Sequence, residues 1–231
     1  VGQSGLDRGI VSRYNNKNKF TKRFYGIMPK GFSDREKEII RARLLEKARE
    51  CFVTFGLKKT SLEDLTQAAG ISKSAFYVFY DSKEALFFEI LEEAEHEFRE
   101  LVMTEVPAQV GQAPHQRFKR VFQIAFQLWK TMPILQTVSR ADYELLLGKL
   151  PPEKIQDHLQ SDQVFVFELL ERFRQSGVDI AADPGQIAGL MNAMFFVTLH
   201  EKDFGPEMYA GTVDLLLDLI AGYCVGEVKT S

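Results

Sequence analysis

Apolar residues recur along most of this chain at steps of three and four, the period of a helix buried along one face. Between positions 34 and 55 they fall at Ile40, Leu44, Ala48, Cys51, Phe52 and Phe55. Between 83 and 105 they fall at Phe87, Leu91, Ala94, Phe98 and Leu101. Phe118, Phe122, Phe126 and Trp129 continue the rule further on. The pattern predicts helices over 34–55, 62–69, 73–79, 83–105, 115–130, 134–147, 152–176, 184–202 and 206–226. Pro107, Pro114, Pro133, Pro151, Pro152, Pro184 and Pro206 sit at or near these boundaries, where a residue without an N–H starts or stops a helix. Ser33 or Asp34 caps the first helix, and Gly56 ends it. No alternating β-branched run argues for a strand. The expected fold class is therefore all-α, with about nine helices.

Charge divides the chain unevenly. Residues 1–30 hold seven Lys/Arg against one acidic residue, residues 31–83 ten against eight, and residues 84–231 twelve against twenty-three. A basic front joined to an acidic body is the distribution of a protein that binds nucleic acid at one end. Only Cys51 and Cys224 are present, too few for a zinc cluster or a disulfide framework, which favours a reducing cytoplasm. The longest apolar run, 187–199, is too short and interrupted to span a bilayer. In residues 1–27 no apolar face forms and no secretory core occurs. They read as an extension ahead of a start at Met28, with a basic arm that touches DNA as the alternative.

The most informative segment runs from Thr60 to Tyr80. Ser61 and Asp64 have capping-box spacing. Leu62, Leu65 and Ala69 bury one face of a short helix, and Gly70 permits a tight turn. Ser72 caps a second short helix, on which Phe76 and Tyr80 face inward while Lys73, Ser74, Tyr77 and Val78 stay outside. Two short helices joined in this way make a helix-turn-helix, whose second helix enters the major groove of DNA.

Residues 34–85 resemble the N-terminal DNA-binding domain of TetR-family transcriptional regulators. The resemblance rests on Cys51-Phe52-Val53-Thr54-Phe55-Gly56, on Thr60 to Ile71, on Ser72-Lys73-Ser74-Ala75-Phe76-Tyr77, and on Ser82-Lys83-Glu84-Ala85-Leu86. It implies a three-helix DNA-binding domain at 33–83 and a helical effector-binding and dimerisation domain at 84–231; residues 1–32 ahead of them are expected to form a disordered basic extension on their composition. It further implies that Thr60 and Ser61 offer hydroxyls and N–H groups to phosphate, and that Ser72 starts the reading helix. Lys73 would contact DNA from that start, Ser74 would allow close approach, and Tyr77 and Val78 would face the groove. Lys83 would hold a flanking phosphate. Ala75 stands where Thr is frequent and would touch a thymine methyl. Phe79, also read on the DNA-binding side, stands where His or Tyr is frequent and lacks the polar group of that phosphate contact. Arg41, Arg43, Lys58 and Lys59 are further phosphate candidates or a solvated face.

In the body, Phe118, Phe122 and Phe126 are candidate walls of an apolar effector pocket, with Arg140, Tyr143 and His158 as its polar groups. Ile187, Leu190, Met191 and Met194, with Val213, Leu216, Ile220 and Tyr223, form two stripes that pair with a second subunit, as the family's homodimers do. The expected function is a DNA-binding regulator, a repressor released from operator DNA by a small-molecule effector, cytoplasmic and nucleoid-associated. The alternative is a helical adaptor or DNA-binding protein without an effector. No cofactor, metal or membrane partner is expected, and no enzymatic activity: there is no Gly-x-Ser-x-Gly, P-loop or Gly-x-Gly-x-x-Gly. Glu93-Ala94-Glu95-His96 has the Glu-x-x-His spacing of di-iron bundles, but no second copy occurs and a solvated acidic helix explains it.

Overall fold

The computed structural model describes residues 32–108 and 111–227; the predicted extension at 1–27 lies outside them. Its helices are α1 (Asp34–Lys59), α2 (Leu62–Ala69), α3 (Lys73–Phe76), α4 (Lys83–Ala108), α5 (Pro114–Thr131), α6 (Pro133–Gln136), α7 (Arg140–Lys149), α8 (Pro152–Gln175), α9 (Pro184–Leu199) and α10 (Pro206–Cys224), with a 3-10 turn at Glu201–Asp203. The described residues contain no strand, so the all-α expectation holds. No described helix is long and apolar enough to cross a membrane.

Helix ends follow local chemistry. Ser33 accepts the Glu36 N–H, and the Glu36 carboxylate accepts the Ser33 N–H in return, so two orphan donors are satisfied at once. Gly56 breaks α1 with φ +78°, a conformation that a Cβ disfavours. The helix expected over 134–147 is in fact two. Ser139 and Asp142 form a further capping box, and this Ser-x-x-Asp spacing starts α7 afresh after α6. The reading helix is shorter than expected, closing at Phe76 and continuing to Phe79 as turn.

Two apolar cores result. One holds Leu44, Ala48, Phe52, Leu65 and Phe76 from the front of the chain, and Leu86, Phe87, Ile90 and Leu91 from the first half of α4. Ile134, Leu135, Val138, Leu146 and Leu150 of the α6–α7 region belong to it too. The other gathers Val102 and Val106 of α4 with α5, α8, α9 and α10, and Phe118 stacks on Phe173 at its centre, ring centroids 3.9 Å apart. One helix, α4, thus enters both cores. Phe55 and Leu101, read as stripe members, stand outside them and are exposed.

Candidate functional site

The front site is built by α2, the Gly70 turn and α3. Ser61 caps α2, its hydroxyl accepting the Asp64 N–H at 3.1 Å while Asp64 accepts the Ser61 N–H at 2.8 Å. Gly70 adopts φ +65°, ψ +38°, left-handed backbone in which a side chain is strained. Ser72 then caps α3 by accepting the Ala75 N–H at 3.1 Å. Phe76 and Tyr80 are buried, as their spacing requires. Ser72, Lys73, Ser74 and Tyr77 are exposed together on the opposite face, with Val78 partly so. The Lys73 ammonium pairs with Glu63 across the turn. This pair is exposed, so little energy opposes its exchange for another anion.

Several residues read as DNA contacts have partners within the chain. The Thr60 side chain is buried and donates to the Gly56 carbonyl at 2.7 Å. Lys83 Nζ donates to the carbonyls of Leu57 at 2.8 Å and Thr60 at 2.7 Å, which closes the C-terminal end of α1, where a cation is favoured. Ala75 is buried, and Phe79 packs against the front core. Arg41 pairs with Glu89 on α4.

The second site is a cavity of about 440 Å³ in the body, within the roughly 300–1,000 Å³ of ligand pockets. Its walls come mainly from α4, α5, α7, α8 and α9, with Leu217 of α10. Four of the six residues read as pocket groups line it: Phe122, Phe126, Tyr143 and His158. Phe118 instead lies in the body core, and Arg140 pairs with Glu144 at the surface. Glu95, Arg99 and Asp162 also line the cavity. Phe88, Leu91, Glu95 and Phe98 follow the same three-four step, so an acid inside an apolar stripe was the available signal. The Glu-x-x-His spacing at 93–96 builds no site: Glu93 turns outward to Arg49, and His96 is exposed.

Arg99 donates to Asp162 Oδ1 at 2.5 Å and to Ser161 Oγ at 2.6 Å. Glu95 Oε2 is cut off from solvent without a hydrogen bond, 3.6 Å from Arg99 Nη2 and 3.5 Å from His158 Nδ1. Burial, the dominant cause, pushes the Glu95 carboxyl from 4.5 to about 8, against the pull of Arg99. The folded protein therefore holds a proton that the unfolded chain releases. Stability from this group is fully present below pH 4.5 and is lost as pH rises towards about 8. Glu95→Gln, a neutral isostere, is expected to melt increasingly above the wild type across that window, and then by a constant margin. Thermal unfolding against pH checks this; a margin that does not change with pH contradicts it.

The residues read as a subunit interface divide in two. Ile187, Met194, Val213 and Ile220 are buried in the body's own core, while Leu190 is exposed and Met191, Leu216 and Tyr223 are partly so. The three-four rule cannot tell a stripe that packs inward from one that packs on a partner. The exposed large apolar positions are Leu190 and Phe196 on α9 and Met208, Leu215 and Leu219 on α10.

A capped helix, a left-handed glycine and a second helix with an open polar face make a helix-turn-helix, the motif with which many proteins read DNA. Residues 44–90 match the family model "Bacterial regulatory proteins, tetR family". Over 53 residues the chain is 38% identical to the HTH-type transcriptional repressor Rv1474c of Mycobacterium tuberculosis, a stretch covering 23% of this chain and 28% of that one. Over 103 residues it is 27% identical to the "Probable acrEF/envCD operon repressor" of Escherichia coli K12, covering 45% and 46%. The chain thus matches less than half the length of these curated relatives. The solved TetR-family transcriptional regulator of Pectobacterium atrosepticum superposes with a TM-score of 0.61 at 26% identity, over 84% of this chain and 98% of that one. These likenesses are to TetR-family transcriptional regulators: the family model covers the reading head, and the structural likeness runs over 84% of the chain.

Proposed function

We propose that the protein is a homodimeric repressor that leaves operator DNA when a small molecule occupies the body cavity. One observation carries this reading. Phe88, Leu91, Glu95, Phe98 and Arg99 of α4 wall the cavity, and the first half of the same helix is packed into the core of the reading head. A ligand that favours one setting of α4 over another therefore biases the head, which is what coupling between two sites requires. Repression is supported by the names of the two curated relatives. The dimer is supported by the outward stripe on α9 and α10 and by the two half-sites that helix-turn-helix proteins read.

In this reading Ser72, Lys73, Ser74, Tyr77 and Val78 meet the major groove. Lys73→Ala and Tyr77→Ala are each expected to weaken operator binding about ten- to hundredfold. Loss of the Lys73 phosphate contact also lowers the log–log salt slope by about one. Both side chains are exposed, so melting stays at the wild-type value; unchanged affinity in both variants contradicts the assignment of this face. The decisive experiment is to sequence the genomic fragments that the protein retains. An inverted repeat with half-site centres about one helical turn or a multiple apart is expected, and a single non-palindromic site counts against the dimer.

A further inference from the structure

We propose that the cavity takes an amphipathic organic monocation, its apolar part against the aromatic wall and its charge beside Glu95. This deepens the effector reading and rests on it. Charge counting at the polar end of the cavity carries the argument. The lining brings two carboxyls, Glu95 and Asp162, one guanidinium, Arg99, and one imidazole, His158, which adds a positive charge only if protonated. Both terminal nitrogens of Arg99 are engaged by Asp162 and Ser161. Glu95 is the acid left over, with one oxygen cut off from water and without a hydrogen bond.

The groups that face Glu95 are Arg99 and Glu92 on its own helix and His158 and Asp162 on α8. The walls from α5, α7 and α9 add one further titratable residue, Tyr143. They also bring rings, Phe122, Phe126 and Trp129 from α5 and Phe195 from α9, which join Phe98 from α4; the rest of these walls is aliphatic apart from the uncharged Asn192 and Thr198 of α9. Ring faces attract a desolvated cation through their quadrupoles, and a low-dielectric wall strengthens the pull of a carboxylate.

Each class of ligand meets this wall differently. A monocation lets Glu95 release its proton and become the matching charge, so that the cavity ends neutral. An anion meets two acids and an arginine already engaged. A neutral apolar compound leaves the Glu95 acid without a partner. A divalent metal ion would draw on Glu95, His158 and Asp162, whose ligand atoms come within 4.8 Å of one another, but it would sit beside the Arg99 guanidinium that Asp162 already holds, where like charge opposes it.

Three probes with the same alkyl chain separate these cases: decyltrimethylammonium, decan-1-ol and decanoate. Trp129, the one tryptophan of the chain, lines the cavity, so its fluorescence reports occupancy directly. Decyltrimethylammonium is expected to bind at least about tenfold more tightly than either other probe above pH 8, and its advantage to fall about tenfold per pH unit below that. Calorimetry in buffers of different ionisation enthalpy should find about one proton released per cation at pH 7. Glu95→Gln should release none and bind the cation no better than the alcohol. Proton release needs no variant, so the test stands even if Glu95→Gln folds poorly. Tighter binding of decanoate, or equal binding of cation and alcohol without proton release, overturns the inference and leaves the effector reading intact. Failure of all three probes to change Trp129 fluorescence overturns both.

Discussion

Leu219→Asp is expected to sediment as a monomer, to keep its helical content, and to lose tight operator binding. Leu219 is 47% exposed and Leu215 58% exposed in the single chain, so a charge at either place meets water there and the fold survives. In a dimer built on the outward face of α10 the same carboxylate is buried without a partner, which costs several kcal/mol, of the order of 3–5. Joining two reading heads makes the second DNA contact effectively intramolecular, so separating them lowers apparent affinity by about 10²- to 10⁴-fold with no change in either head. Sedimentation velocity and binding to a retained genomic fragment check the two halves. A Leu219→Asp protein that remains dimeric refutes this face as the joint. Leu217→Asp is the contrasting variant: Leu217 is buried in the chain itself, so there the fold fails, and helical content distinguishes the cases.

Phe87→Ala is expected to destabilise the protein by about 3–5 kcal/mol. Phe87 and Phe52 are both fully buried, and their rings meet edge to face with centroids 5.0 Å apart. Truncation removes the transfer energy of the ring and leaves a cavity where α1 and α4 cross. Phe87 lies outside the expected domain boundary at 83, yet it belongs to the core of the reading head. The loss therefore falls on the head and its connecting helix together. Urea unfolding measures it through a lower midpoint; a loss under about 1 kcal/mol would mean that the head does not depend on α4 as its packing implies.

Much of this was legible in the sequence because local signals agreed. The capping boxes at Ser33 and Ser61, the glycines at 56 and 70, and the stripe of α1 through Phe52 each fix one backbone choice, and the structure follows them. The split of 134–147 was legible too, since Ser139-x-x-Asp142 repeats the same capping signal, but the apolar pattern runs on across it. What the pattern could not carry was long range. Lys83 is placed like a phosphate contact, but its ammonium finds the carbonyls of Leu57 and Thr60, more than twenty residues back along the chain. Glu95 sits in a run of acids that reads as a wet surface, and only the arrival of α8 and α5 encloses it. The α9 and α10 stripes are apolar on more than one side, so periodicity alone could not say which side closes the chain's own core.

The bond from Lys83 to the end of α1 also makes α4 a lever. At about 1.5 Å of rise per residue, the run from Arg99 at the cavity back to Lys83 is roughly 24 Å long. A tilt of about 5° over that arm carries its front end by roughly 2 Å. Because the Lys83 ammonium is fastened to α1 rather than to a loose connection, this travel passes into the corner between α1 and α2 instead of being absorbed. In the proposed dimer two such arms swinging in opposite senses change the spacing of the heads by about 4 Å, against a repeat of about 34 Å along the DNA. Under the proposed mechanism each head would keep its own surface unaltered, and the pair would fall out of step with the double helix.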